Sequence, residues 1–215
     1  MAGRESQKSF TGEGLACRRG ERRVFKGVAF ALAPGDALLL GGPNGSGKTS
    51  LLRLMAGLAQ PEQGVIAWDG DAIADDPAAH RARLHYIGHQ EAVKLALTAA
   101  ENLAFWAGMR GADGRIIDAL RRFRLEARAA WPARYLSAGE RKRLGLARLV
   151  VSPAALWLLD EPTTSLDAEA SEILLTAIAD HRRAGGCVAL ATHAPLALPG
   201  AQTLSLAVHA TGGQG

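Results

Sequence analysis

The sequence predicts an α/β domain built on a mainly parallel sheet. Short apolar runs alternate with segments of helical periodicity, and several of those runs are apolar without interruption, as strands buried on both faces must be. One of them, residues 37–40, leads straight into a glycine-rich loop. Beyond the loop, Leu51, Leu52, Leu54, Met55 and Leu58 fall at helical spacing. Strand, loop and helix in that order form a unit that places backbone N–H groups at a helix N-terminus.

Each further element has its own local cause. Residues 1–11 are polar and are expected to form a mobile tail, with one domain over 12–210. Two strand-like runs, 15–17 and 24–32, flank the polar stretch RRGERR, and Pro34-Gly35 marks a turn. Residues 65–68 and 84–87 suit further strands. Thr98 and Glu101 have capping-box spacing ahead of an apolar helix over 102–109, and Ile116, Ile117, Leu120 and Phe123 mark another. Ser137 and Glu140 repeat the capping pattern before a basic helix that reaches Val151. Residues 156–159 form an apolar strand ending in Asp160-Glu161. A helix over 168–183 stops at Gly185-Gly186, and 187–191 is one more buried strand, ending at Thr192-His193. The stretch from about 91 to 135 holds helices and no evident strand, so a helical subdomain is expected over about 91–150.

Composition narrows the class. With 48% hydrophobic and 21% charged residues in 215, the chain should be globular. A net charge of +4 and a pI of about 9.4 permit contact with phosphates, acidic headgroups or nucleic acid and select none of them. The two cysteines, Cys17 and Cys187, are far apart and suit reduced thiols. The first ten residues lack the apolar core of a secretory signal. The longest apolar run, about 149–159, is broken by Ser152 and Pro153, whereas a spanning helix needs roughly 20 apolar residues.

Gly42-Pro43-Asn44-Gly45-Ser46-Gly47-Lys48-Thr49 matches G-x-x-x-x-G-K-[ST]. The glycines let the backbone curl around a triphosphate. Lys48 brings a positive charge to the β- and γ-phosphates, and Thr49 offers a hydroxyl to Mg²⁺. Such a loop needs a metal-holding acid on a neighbouring strand, and Asp160 stands at the end of one.

Beyond these two motifs, the chain over about 12–195 resembles the nucleotide-binding domains of ABC transporters. Leu136-Ser137-Ala138-Gly139-Glu140 is similar to the LSGGQ loop of that family, with Ala138 and Glu140 as departures; a carboxylate beside a phosphate should point away. The resemblance implies a P-loop ATPase fold with the helical subdomain and an antiparallel β subdomain. It implies that ATP and Mg²⁺ lie between two copies of the chain. One copy would contribute Gly42 to Ser50, and the other Ser137, Gly139 and Asp167, the last in a D-loop, Ser165-Leu166-Asp167. Glu161 would activate the attacking water, His193 would contact the γ-phosphate, and Gln90 would reach Mg²⁺ alongside Thr49 and Asp160. Many relatives stack adenine on an aromatic residue some 25 positions before the loop, where this chain has Cys17-Arg18-Arg19-Gly20; an arginine plane is a substitute. His80, His85, His89, His181 and His209 lack a comparable context and are expected to be structural.

About 45 residues separate Gln90 from Leu136, with no heptads, which argues against the coiled-coil chromosome and repair ATPases; no nucleic-acid partner is expected. Several segments resemble more narrowly the ATP-binding subunits of the cytochrome c maturation haem exporter. They are Asn44 to Arg53, Tyr86-Ile87-Gly88-His89-Gln90, Leu97 to Leu103, Leu136-Ser137-Ala138-Gly139, Ser152-Pro153 and Leu156 to Pro162. That resemblance implies a peripheral homodimer on the cytoplasmic face of a bacterial inner membrane. It would work with integral permease subunits and, through them, a haem carrier. The alternatives to a haem exporter are the ATPase subunit of another membrane exporter and, behind it, a nucleic-acid-associated ABC ATPase. Phe105, Trp106 and Trp131 are candidate partner contacts, with ordinary core the stronger expectation. The arginines at 121, 122, 124 and 128 suit either anionic lipid or a solvated helix face.

Overall fold

The computed structural model describes residues 9–88, 92–111, 115–193 and 196–207. The chain opens with an antiparallel hairpin, β1 (Phe10–Arg19) and β2 (Arg22–Leu32), followed by β3 (Ala37–Gly41) and α1 (Lys48–Met55). Then come β4 (Gln63–Trp68), β5 (Asp71–Ala72), α2 (Pro77–Ala82) and β6 (Leu84–Ile87). Helices α3 (Ala99–Gly108), α4 (Ile116–Arg122) and α5 (Ala138–Val151) form the helical subdomain, before β7 (Leu156–Asp160), α6 (Ala168–Arg183), β8 (Cys187–Ala191) and β9 (Gln202–Ser205).

Two sheets result. The parallel one has the order β6-β7-β8-β3-β9, and the antiparallel one β2-β1-β4-β5. Every residue of β7 and β8 is buried, which is why both read as unbroken apolar runs. Helix α1 and the antiparallel sheet cover one face of the parallel sheet with Phe10, Phe25, Leu51, Leu52 and Met55, while α3, α5 and α6 cover the other with Leu103, Leu144, Leu174 and Ile178. The register matters for function: Leu40 and Asp160 both pair with Ala191, so β3, β8 and β7 end in one row across the sheet.

The first eleven residues are not all tail. Strand β1 starts at Phe10, which is fully buried against Phe30, Trp68 and His80, and its burial is worth about 2–3 kcal/mol. Residues 1–8 lie outside the described ones. The polar RRGERR does not interrupt the hairpin but turns it. Arg18 pairs with Arg23 in the ladder, and both guanidiniums bind Glu62, whose single negative charge between them offsets part of their mutual repulsion. Three elements have no apolar pattern: β5 is two residues long, β9 is Gln-Thr-Leu-Ser on the sheet edge, and α2 shows only its Asp76 cap and Pro77.

Both capping boxes form, Thr98 with Glu101 and Ser137 with Glu140. Phe105 and Trp131 are exposed rather than core, at 41% and 45%, while Trp106 is half-buried beneath Arg148. The arginines at 121, 122, 124 and 128 each meet a carboxylate, of Asp118, Asp180, Glu169 and Glu140. Arg148 on α5 is buried; it donates to the Tyr86 carbonyl at the end of β6 and lies over the Trp106 ring of α3 at 4.5 Å. Burial pushes its pKa down to about 10, which leaves it charged at neutral pH. Both cysteines are buried free thiols, and among the described residues no helix is long and apolar enough to cross a membrane.

Three histidines are structural. His80 reaches the Met55 carbonyl, His85 reaches that of Ser152, and His181 stacks on Trp157 with ring centroids 4.0 Å apart. His89 and His209 lie outside the described residues. Burial pushes His80 down and lowers His85 and His181 to about 4. Between about 4 and the ordinary value near 6.5, the unfolded chain therefore binds more protons than the folded one. Stability should be full above pH ~6.5 and fall as the pH drops towards ~4. Urea midpoints measured across that window should show the fall, and the double variant His85→Gln/His181→Gln should flatten it.

Candidate active site

The phosphate loop is shaped by three glycines at positive φ. Gly42 has φ 134°, Gly45 79° and Gly47 102°, values that a side chain would oppose. At Gly47 the constraint is also spatial, since a Cβ would come within 2.6 Å of Val24 on the hairpin. The N–H of Leu51 closes the first turn of α1 on the Gly47 carbonyl at 2.8 Å. Lys48, only 7% exposed, curls back over the loop and donates from Nζ to the carbonyls of Gly42 at 2.7 Å and Pro43 at 3.1 Å. Ser46 Oγ is buried without a partner among the described residues, so the loop holds a polar atom ready for a ligand.

The row of strand ends brings the acids to the same place. A cleft of about 470 Å³ is lined by Asn44, Gly45, Gly47, Lys48, Thr49, Ser50, Asp160, Glu161 and His193, and by Arg19, Arg22 and Val24 from the hairpin. Asp160 is 3% exposed, and its carboxylate accepts no hydrogen bond among the described residues. A carboxylate and the Thr49 hydroxyl are the hard oxygen donors that Mg²⁺ prefers, so the residues fit that ion. Glu161 adopts a left-handed φ of 50°, a conformation that costs a non-glycine residue about 1–3 kcal/mol. It is held there by its N–H to the Ala191 carbonyl at 2.8 Å, while its own carbonyl accepts from Thr164 N at 3.3 Å and Lys142 Nζ at 3.5 Å. The turn carries its carboxylate to 3.2 Å from His193 Nδ1. A carboxylate and an imidazole in contact beside a phosphate loop can share and pass a proton.

Ser137, Gly139 and Asp167 do not line this cleft. Ser137 caps α5 by accepting from Glu140 N at 3.1 Å, and Asp167 caps α6 by accepting from Ala170 N at 2.7 Å. Glu140 does turn away, as its charge requires. One oxygen takes the Ser137 N–H at 2.8 Å and the other takes Arg128 Nε at 3.0 Å, which together hold its pKa below the usual carboxylate range. Gln90 lies outside the described residues. Sequence reasoning missed Arg22, Val24 and Lys142. The first two could have been found by pairing the hairpin about its Gly20-Glu21 turn. A larger groove of about 690 Å³, lined by Arg115, Arg122, Trp157 and His181 among others, lies at the opposite ends of the strands and contains no phosphate loop.

A family model described as ABC transporter matches residues 25–164. The cytochrome c biogenesis ATP-binding export protein CcmA of Paramagnetospirillum magneticum is 52% identical over 94% of this chain and 95% of its own. The protein of the same name from Rhodospirillum rubrum is 53% identical over 94% of this chain and 87% of its own. The chain belongs to the CcmA branch of the ABC transporter family. A solved structure of the ATP-binding subunit of an ABC transporter superimposes with a TM-score of 0.79 at 28% identity, over 86% of this chain and 79% of the other. This ABC ATPase binds and hydrolyses ATP. Its cleft brings a phosphate loop, a lysine and a carboxylate–histidine pair together at the C-terminal ends of the adjacent strands β3, β8 and β7.

Proposed function

We propose that this ABC ATPase energises cytochrome c biogenesis as the ATP-hydrolysing subunit of a haem exporter. Two copies would close head to tail on ATP. The observation that carries this is the split of the expected ATP contacts. Lys48, Thr49, Asp160, Glu161 and His193 converge on one cleft, while Ser137, Gly139 and Asp167 stand away from it on the caps of α5 and α6, where a second copy's nucleotide can meet them.

The loop from Gly42 to Ser50 would hold the triphosphate, with Lys48 exchanging its two loop carbonyls for phosphate oxygens. Thr49, Asp160 and Gln90 would hold Mg²⁺, which when bound offsets phosphate charge. Glu161 would take the proton of the attacking water, and His193, in contact with Glu161, would stabilise charge on the γ-phosphate. The N-terminus of α5 behind Ser137 would direct N–H groups at the same phosphate from the second copy.

The relatives' names supply the system: export for cytochrome c biogenesis. This chain would work as a peripheral subunit at the cytoplasmic face of the bacterial inner membrane, bound to integral permease subunits of the cytochrome c maturation system. Hydrolysis there would drive release of haem from its carrier. The exposed Leu95, Phe105, Met109, Trp131 and Tyr135 of the helical subdomain offer the apolar contact. Purification from native membranes through a tag on this subunit tests the proposal. Recovery of cytochrome c maturation membrane proteins is the expected result, and recovery of a different permease would remove the haem assignment.

A further inference from the structure

The cap of α5 carries a charge that its proposed task opposes. The helix N-terminus offers N–H groups and about half a positive charge to a second copy's triphosphate. Glu140 sets a full negative charge on the same turn, and its carboxylate already takes the Ser137 N–H at 2.8 Å. Helix end and carboxylate together give a negative field, which repels phosphate. The capping box does not require that charge, since a neutral glutamine at residue 140 would close it equally well.

Arg128 brings the opposite charge from a separate segment of the helical subdomain. Its Nε donates to Glu140 Oε1 at 3.0 Å, and the two side chains are 38% and 19% exposed, so water screens the pair only in part. The segment that carries it is fixed. Arg128 ends the short turn Glu126–Arg128, and the chain beyond is tied to the first turn of α3: the N–H of Ala100 bonds the Ala129 carbonyl and that of Ala99 bonds the Trp131 carbonyl, both at 3.0 Å. The Trp131 ring then supports the guanidinium from 4.2 Å. Arg141, a cation on the cap itself, directs its guanidinium at the Leu136 carbonyl at 2.5 Å. With Arg128 in contact, the carboxylate no longer outweighs the helix end.

We propose that Arg128 is a positioning residue for ATP hydrolysis: paired with Glu140, it lets an acidic cap grip the nucleotide of a second copy. The proposal rests on the head-to-tail reading above and adds what makes this cap able to meet a phosphate.

Phosphate release by the tagged membrane complex, followed against ATP concentration, tests it. Arg128→Ala should raise KM for ATP about tenfold. Calorimetry on the full chain alone should show that variant binding ATP in its own cleft within about twofold of the unaltered chain. Arg128→Ala/Glu140→Gln removes the charge together with its partner and keeps the capping box, and it should bring KM back to within about twofold. A lost structural contact would not be cured by a second substitution at the same contact. An unchanged KM in Arg128→Ala, or a defect that persists in the double variant, would overturn the proposal. Ser137→Glu, which puts a carboxylate on the cap itself, should abolish hydrolysis. Normal hydrolysis in that variant would overturn the head-to-tail reading and the role of Arg128 with it. An inactive Ser137→Glu beside a normal Arg128→Ala would overturn the role of Arg128 alone.

Discussion

Replacing Glu161 with Gln is expected to lower kcat for ATP by about 10³ while leaving ATP affinity within about twofold. The side chain keeps its length and its Oε1, so the contact with His193 Nδ1 survives when that nitrogen donates. The left-handed turn survives as well, because the backbone bonds at residue 161 do not involve the carboxylate. Only proton affinity is lost. General-base assistance is worth about 10² to 10⁴ in rate, and a site that still positions water and phosphate should lose that and little else. Phosphate release under saturating ATP measures the first part and calorimetry the second. A variant that hydrolyses ATP within a few-fold of the normal rate would place the base elsewhere.

Lys48→Ala should instead fail at binding. A charge-assisted contact to phosphate contributes about 1.5–3 kcal/mol, so ATP affinity should drop about 10- to 150-fold and hydrolysis should fall below detection at ordinary nucleotide concentrations. The fold should tolerate the change. Lys48 gives up bonds to two carbonyls of a surface loop, and Gly42 and Pro43 can turn to water instead. A thermal melt within a few degrees of the unaltered chain, together with lost nucleotide binding, is the expected pair of results. Nucleotide binding that survives the substitution would remove Lys48 from the phosphate site.

The legible parts of the fold were those whose physics is local. Strands β7 and β8 showed in the sequence because burial on both faces leaves them apolar up to Asp160 at the end of β7, and α6 showed because Gly185-Gly186 follows its end. Phe10 was hidden among polar neighbours; its burial depends on Phe30 and Trp68, which are distant in sequence. Edge strand β9 was hidden for the opposite reason, since an edge needs few apolar residues. In the site, the loop and the acid stood out as motifs. The 3.2 Å contact between Glu161 and His193 needed the register that ends β7 and β8 together, and the place of Arg19 and Arg22 on the cleft needed the hairpin pairing. Phe105 and Trp131 misled because large aromatics are more often inside than out.

Arg148 gives the seam between the helical subdomain and β6 an unusual energetic character. It is a buried cation whose hydrogen-bond acceptor is the Tyr86 carbonyl and whose other support is the face of Trp106; no carboxylate meets it among the described residues. Its Nε has no hydrogen-bond partner among the described residues. Apolar contacts favour a shut seam, while the dehydrated guanidinium favours one that admits water. The two tendencies oppose each other at a single side chain, so a small tilt of α3 away from the sheet trades lost packing for regained hydration. That seam is therefore expected to admit water at a smaller cost than either core.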